Sequence, residues 1–345
     1  MAHEIHILNG KASMAFVGET PWHGLGQQLT PESTIAEWTT AANMDWEIKR
    51  TQVEFATLGS STTPDAMSAF PERHVLYRSD THTPLAVVGH QYKIVQPKEV
   101  LEFYTSLTEQ MGYQMVTAGV LFGGKRYWAL ASAGQTATIG SDTLLLPSQQ
   151  TLKGDQYGRY LLFSTACDGT MATRILETTV RVVCNNTLQI SGINNRANGI
   201  SIPHSRQFDA EAIKQELGIH SDSTDSFALF MEDLRSFADR RLSQKESVNY
   251  LINLCGNPEL LLEDQSTSSA SQMQNIYELY ANSAKGNSFE SSQNTLLGML
   301  NAVTEYTDWH TNHRTTDSRI NASWFGSTTT LKAKAFSLAT ELVGA

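Results

Sequence analysis

Hydrophobic and polar positions follow two different periods along this chain. Before about residue 200, apolar residues alternate with polar ones or gather in short β-branched runs; beyond Pro203 they recur every three or four positions. Period two marks a strand with one buried face, and a period near 3.6 marks an amphipathic helix. Trp46 and Ile48 alternate with Glu47 and Lys49, which predicts a strand over 46–56. Two more strands are predicted, at His74–Arg78 and Leu85–Val95, joined by a turn at Ser79–Pro84. Residues 57–71 hold Gly, Ser, Thr and two prolines, the composition of a surface loop.

Helix signals frame these strands. Ser33 or Thr30 can cap a helix whose buried face is Ile35, Trp38 and Ala42, with Glu37 as a loose capping partner for Ser33 or Thr34. Pro97 opens a helix running to Met111, with Val100, Leu101, Tyr104 and Leu107 on one face and Gly112 as its stop. Tyr113–Leu121 and Arg126–Ala133 predict a hairpin around Phe122-Gly123-Gly124-Lys125. Residues 134–150 read as a loop, and Lys153–Arg159 as a hydrophilic turn. From Tyr160 to Asn195 the pattern is strand, sharp turn, strand. Leu161-Leu162-Phe163 leads to the turn residues Cys167-Asp168-Gly169, then to the β-branched run Thr178–Val183.

After Pro203, helices are predicted at Phe208–Leu217, Asp225–Leu242, Lys245–Cys255, Met273–Ser283, Ser292–Trp309 and Thr328–Leu342, with a polar linker at Asp264–Ser271. Phe227, Phe230, Met231, Leu234 and Phe237 form one stripe, the signature of a helix-on-helix core. The order predicts an α+β fold: an antiparallel β-sheet with helices on one face, followed by a mostly α-helical C-terminal part. A boundary at 207 divides it into a sheet domain, 1–207, and a helical region, 208–345.

Composition narrows the class. With 345 residues, 40% hydrophobic and 9% aromatic, this is a folded soluble chain of one large domain or two ordinary ones. No stretch approaches the ~20 apolar residues of a membrane helix. The N-terminus lacks a basic segment followed by an apolar run, so no signal peptide is expected and the compartment is the cytoplasm. The cysteines, Cys167, Cys184 and Cys255, are odd in number and lack metal-site spacing. Neither a G-x-x-x-x-G-K-[ST] loop nor G-x-G-x-x-G occurs, which argues against ATP or dinucleotide chemistry. No cofactor and no metal is expected.

Charge is uneven. The net value is −10, yet residues 111–208 hold 8 Lys/Arg against 4 Asp/Glu, whereas the segments before and after are acidic. A basic island can bind phosphates while acidic flanks keep the protein soluble. Lys125, Arg126, Tyr127 and Trp128 combine cations and rings on one predicted hairpin. Lys153, Arg159, Arg174 and Arg181 add charge, and Asn185, Asn186 and Thr187 add hydrogen-bonding groups. Single-strand binding pairs a cationic groove with stacking platforms. A core hairpin with a polar strand end accounts for the same residues without any ligand. Two further constellations are Cys184 with Asp168 and a His such as His204 or His23, a possible hydrolase nucleophile, and Asp308, His310, His313 and Asp317. The last group has metal-ligand character but fits a polar inter-helix turn equally well.

Several short motifs carry a resemblance. Trp22-His23-x-Leu25-Gly26, Gly89-x-x-Tyr92-x-x-x-Gln96, Asp168-Gly169, Arg181-Val182-Val183-Cys184-x-Asn186-Thr187 and Ala322-x-Trp324-Phe325-Gly326 resemble the phage/plasmid-like protein family, a domain of unknown function found in prophages, phages and plasmids. The family pattern carries a His before Asp-Gly where this chain has Cys167, which weakens any role for that position. The predicted order of three strands, helix and hairpin is more distantly similar to the β-β-β-α core of phage single-strand annealing proteins of the Erf and Sak groups. That resemblance implies a homo-oligomer, ring or filament, that holds single-stranded DNA in a basic groove and anneals complements without ATP in the bacterial host cell. A phage exonuclease or a host single-strand binding protein would be its partner, and no membrane is involved. The expected function is therefore DNA annealing in phage or plasmid recombination, without covalent chemistry. The alternatives are the hydrolase using Cys184, Asp168 and a His, and a protein-interaction module directed at a host defence.

Overall fold

A computed structural model describes residues 7–8, 11–18, 25–58, 66–145, 151–181, 186–189, 199–216, 224–260, 262–311, 322 and 327–344. The chain divides into two units that interleave in sequence: Met1–Ala133, Leu161–Ile175 and Ile200–Leu217 form the first, and Gly134–Tyr160, Leu176–Gly199 and Gly218–Ala345 the second. Segments 134–160 and 176–199 therefore cluster with the helical region, which corrects the single boundary at 207. The physical reason is strand length. Strands β9 (Arg126–Leu145), β10 (Thr151–Ala166) and β11 (Thr173–Arg181) each contribute residues to both units.

The earlier elements are β1 (Ile7–Leu8), β2 (Lys11–Ala12), β3 (Met14–Val17), β4 (Gln27–Leu29), α1 (Ile35–Ala41), β5 (Ile48–Thr57), β6 (Ala66–Arg78), β7 (Pro84–Gly89), α2 (Pro97–Glu102), α3 (Thr105–Gln110) and β8 (Gln114–Leu121). Then come β12 (Asn186–Gln189), β13 (Gly199–Ile202), α4 (Ala210–Glu216), α5 (Thr224–Asp239), α6 (Gln244–Cys255), α7 (Thr267–Glu278), α8 (Leu296–Glu305) and α9 (Ser327–Gly344). The largest sheet runs β12-β11-β10-β9-β8-β3-β4, with β13 also on β11; β5-β6-β7 form a separate sheet and β1-β2 a short pair. The fold class is α+β as expected, with one parallel pair, β3 on β4, among otherwise antiparallel registers.

In the first unit α1 starts at Thr34, whose hydroxyl accepts from Glu37 N while the Glu37 carboxylate accepts from Thr34 N. The helix predicted over 97–111 is two helices. Tyr104 N–H bonds back to Leu101 O at the break, and its buried hydroxyl donates to Ala129 O at 3.0 Å and Leu161 O at 2.9 Å. Phe103 packs edge-on against both Tyr104 and Phe163. Strand β6 begins at Ala66, inside the predicted loop. Pro71 falls where the β5–β6 register jumps from Gln52↔His74 to Val53↔Phe70, a break that tolerates a residue without an N–H.

In the second unit the core is helical. Phe227, Phe230, Met231, Leu234 and Phe237 are all buried, as the stripe predicted, and Phe230 stacks on Phe336 of α9 at 5.4 Å. Every residue of α8 is buried. A Cβ on Gly298 would come within 1.9 Å of the Ser292 carbonyl, so only glycine admits this approach. Both α7 and α8 end in a π-helical turn, at Leu279–Ser283 and Tyr306–His310. No helix among the described residues is long and apolar enough to cross a membrane.

Candidate nucleic-acid interface

The β8–β9 hairpin turns through three consecutive left-handed residues, Phe122, Gly123 and Gly124. Two of the three are glycines, which adopt positive φ without a Cβ clash. Beneath the turn lies Arg78, fully buried. Its guanidinium stacks 4.1 Å over Trp46, donates to both carboxylate oxygens of Asp80, and donates to Gly123 O at 3.3 Å. That hydrogen bonding holds the Asp80 carboxyl below its ordinary range. Gly124 is also required by space, since a Cβ there would press on Arg78 and Trp46 at 3.1 Å.

A second turn docks on the first. Cys167 N donates to Lys125 O at 2.9 Å, its thiol points at Gly124 O at 3.3 Å, and Arg126 donates to the Thr170 hydroxyl at 2.8 Å. Asp168 stiffens this second turn by accepting from both Thr170 N and Oγ1. A third loop joins through Tyr92, whose hydroxyl donates to Ala166 O at 2.9 Å and whose ring stacks on His204 at 4.5 Å. His204 and Lys93 exchange backbone and ring contacts: Lys93 N donates to His204 O at 2.6 Å, and His204 Nδ1 lies 2.9 Å from Lys93 O. Arg50 donates to the carbonyls of His90 and Tyr92. Hydrogen bonds thus link the loops that bear Arg50, Lys93, Lys125, Arg126, His204 and Arg206. Lys93, Lys125, Arg50 and Arg206 are exposed, and Arg126 is half-buried over the Phe122 ring.

Other residues singled out from the sequence have different placements. Tyr127 and Trp128 are buried. Tyr127 packs edge-on against Trp46 and donates to Val95 O, and the Trp128 ring closes on Gly119. Neither presents a face for stacking, which corrects that part of the expected site: alternation along β9 points both into packed layers, not into a groove. Arg159 and Arg181 are buried in the second unit. Arg159 pairs with Glu177 and donates to Gln135 at 2.9 Å. Arg181 forks onto Asp155 and reaches Ser292 and the carbonyls of Lys285 and Gly286. Their charges are committed to internal partners, so neither is a phosphate ligand in this fold. Lys153 is exposed on β10 and Arg174 half-buried on β11. Asn186 and Thr187 pair with Arg181 and Val180 across β11–β12. Asn185 and Cys184 lie outside the described residues, as do Trp22, His23, His313, Asp317 and Trp324-Phe325-Gly326.

For chemistry, Cys167 is a poor nucleophile: burial pushes its thiol up to about 12. Asp308 is held by Lys332, and His310 lies near Glu305. Among the described residues no group of three or more His, Cys, Asp or Glu is placed to hold a metal ion.

Residues 84–324 match the model of a family described as a domain of unknown function, DUF932. The chain belongs to the DUF932 family. No curated protein and no solved structure matches it. The DUF932 span covers Tyr92, Lys93, Lys125, Arg126, Asp168 and His204, so the three turns described above all lie within it. Arg50 and the β5–β6 hairpin precede it. The sequence flagged Tyr92 only as part of a motif and missed Lys93, Arg50 and Arg78. Those residues are far apart in the chain, and only the tertiary hydrogen bonds between loops bring them into one place.

Proposed function

We propose that this protein binds single-stranded DNA and anneals complementary strands without ATP, as a homo-oligomer serving recombination in a phage or plasmid. The observation that carries this reading is the hydrogen-bonded cluster of three turns in the first unit, which gathers Lys93, Lys125, Arg126 and Arg206 around Tyr92 and His204. Exposed cations on rigid turns neutralise phosphates. The half-buried rings of Phe122, Tyr92 and His204 take the stacking role first expected of Tyr127 and Trp128. Annealing follows from screening backbone repulsion while leaving base edges open; no bond is made or broken. In this reading the protein works in the host cytoplasm beside an exonuclease or a single-strand binding protein.

The test is a salt titration of fluorescent oligonucleotide binding. Affinity is expected to fall linearly on a log–log scale, with a slope near −0.7 per phosphate neutralised. The Lys93→Ala/Lys125→Ala variant is expected to bind more weakly to all sequences alike, with the slope shallower by about 1, and to anneal complementary oligonucleotides more slowly. Lack of binding by the wild type at low salt ends the proposal.

A further inference from the structure

Strand β7 pairs with β6 only as far as Gly89↔Arg73. Beyond that point β5 and β6 continue as a two-stranded arm, Val53–Thr57 against Ala66–Phe70. A two-stranded ribbon standing alone is at best marginally stable in water. This one also carries Phe55, Leu58, Met67 and Phe70, exposed by 46%, 90%, 64% and 43%. The register sets Phe70 opposite Val53 and Phe55 opposite Ser68, so both rings share one face. Large apolar side chains hold roughly 150–250 Å2 each, so one arm offers several hundred Å2. Two arms together reach the ~1,000 Å2 at which a specific interface becomes stable.

Charge along the open edge selects the partner. Strand β5 has β6 on one side only. At its base the Gln96 side chain fills the other side, accepting from Ile48 N at 2.8 Å and donating to Ile48 O at 3.1 Å. The edge beyond reads Lys49-Arg50-Thr51-Gln52-Val53-Glu54-Phe55, basic at one end and acidic towards the other. Laid antiparallel on a second copy of itself about an axis at Gln52, it sets Arg50 opposite Glu54 twice over. Opposite charges directly across a strand pair favour the pairing. Arg50 also donates to His90 O and Tyr92 O, and a guanidinium has further N–H groups to offer.

We propose that this arm is a self-association surface, on which two copies of the chain join β5 to β5 about a two-fold axis and cover Phe55, Met67 and Phe70. An open edge beside apolar side chains is a template for such pairing, and a two-fold contact closes on itself without growing into a fibre. The inference supplies the contact for the oligomer in the reading above and does not depend on nucleic-acid binding.

Sedimentation velocity without oligonucleotide tests it. The wild type is expected to sediment as a dimer or a multiple of one, and the Phe55→Ser/Phe70→Ser variant as a monomer with an unchanged circular dichroism spectrum. Gln52→Cys, an exposed substitution, is expected to form a disulfide-linked dimer under mild oxidation that wild type treated alike does not form. A wild type that stays monomeric at its highest soluble concentration overturns the proposal, as does a Phe variant that keeps the wild-type mass. Failure of Gln52→Cys to cross-link overturns the β5-to-β5 register. A monomer that floats with anionic phospholipid vesicles assigns the arm to a membrane instead. A monomer that still binds oligonucleotide leaves the nucleic-acid reading standing and this one fallen.

Discussion

Arg181 shows how residue type and environment combine to decide a role. As a cation in a basic segment it suits a phosphate, but in the fold its planar fork lies against the Asp155 carboxylate, with Lys285 O at 2.9 Å and Ser292 Oγ at 2.9 Å taking further donors. Both side chains of the pair are buried. Such a pair adds little net stability compared with an apolar pair, yet loss of one partner strands the other as a lone buried charge. Arg181→Ala is therefore expected to lower the unfolding free energy by about 3–5 kcal/mol, read as a lower urea midpoint. Lys125→Ala, at an exposed site, is expected to stay within about 0.5 kcal/mol of wild type. Equal midpoints for the two variants would show that Arg181 is not the internal staple described here. Tyr104 makes the same point with neutral groups: its buried hydroxyl satisfies two strand carbonyls, which explains why a tyrosine and not a phenylalanine sits at this position of the core.

At the scale of elements, capping is where local sequence governs most directly. Ser243 and Glu246 form a capping box at the start of α6, and Arg240 adds a salt bridge to the carboxylate. The Ser243 hydroxyl and backbone, then Arg240, hold the Glu246 carboxyl down to about 2. Its folded value lies below its unfolded one. The carboxylate therefore contributes fully above the ordinary carboxylate range, and the contribution is lost as pH falls from there through about 2. Carbon-detected NMR titration is expected to place the Glu246 midpoint near 2 and to move it upward in Ser243→Ala; an ordinary midpoint in the wild type would refute the box. Boxes of this kind, the Pro97 helix start and the Phe227–Phe237 stripe were legible because each is a short-range pattern. Strand lengths were not. Residues 135–140 alternate inward and outward with Ala137 and Ile139 on the covered side, but their Gly, Ser and Thr content is that of a loop. Lys153–Arg159 is hydrophilic, yet it is a strand in which Asp155 and Arg159 find buried partners contributed by β11. Composition hides a strand whenever its polar residues are paired across the sheet, because the partner lies tens of residues away.

The whole molecule depends on those long strands. A boundary at 207 would leave residues 208–345 as a free helical piece, but the core of the second unit is not made of helices alone. Ile139 of β9 and Tyr157 of β10 are part of its buried apolar cluster. The Tyr157 hydroxyl exchanges hydrogen bonds with the Asn301 amide in the middle of α8, the helix buried along its entire length. Asp142 accepts from Glu290 N, and Arg181 holds the 285–292 loop that leads into α8. Without β9, β10 and β11, Asn301 loses its partner, the carbonyls of Lys285 and Gly286 lose their donor, and one side of the cluster opens to water. A burial deficit of this kind removes cooperativity before it removes helix, since helices persist through local hydrogen bonds while the packing that fixes them is gone. A fragment of residues 208–345 is accordingly expected to keep part of its far-ultraviolet helical signal, bind a hydrophobic dye, and melt without a cooperative transition. A fragment of residues 134–345, which restores Ile139, Asp142, Asp155, Tyr157 and Arg181, is expected to recover a sharp melt. A sharp melt in the shorter fragment would mean that the helices pack on their own and that the strands merely adjoin them.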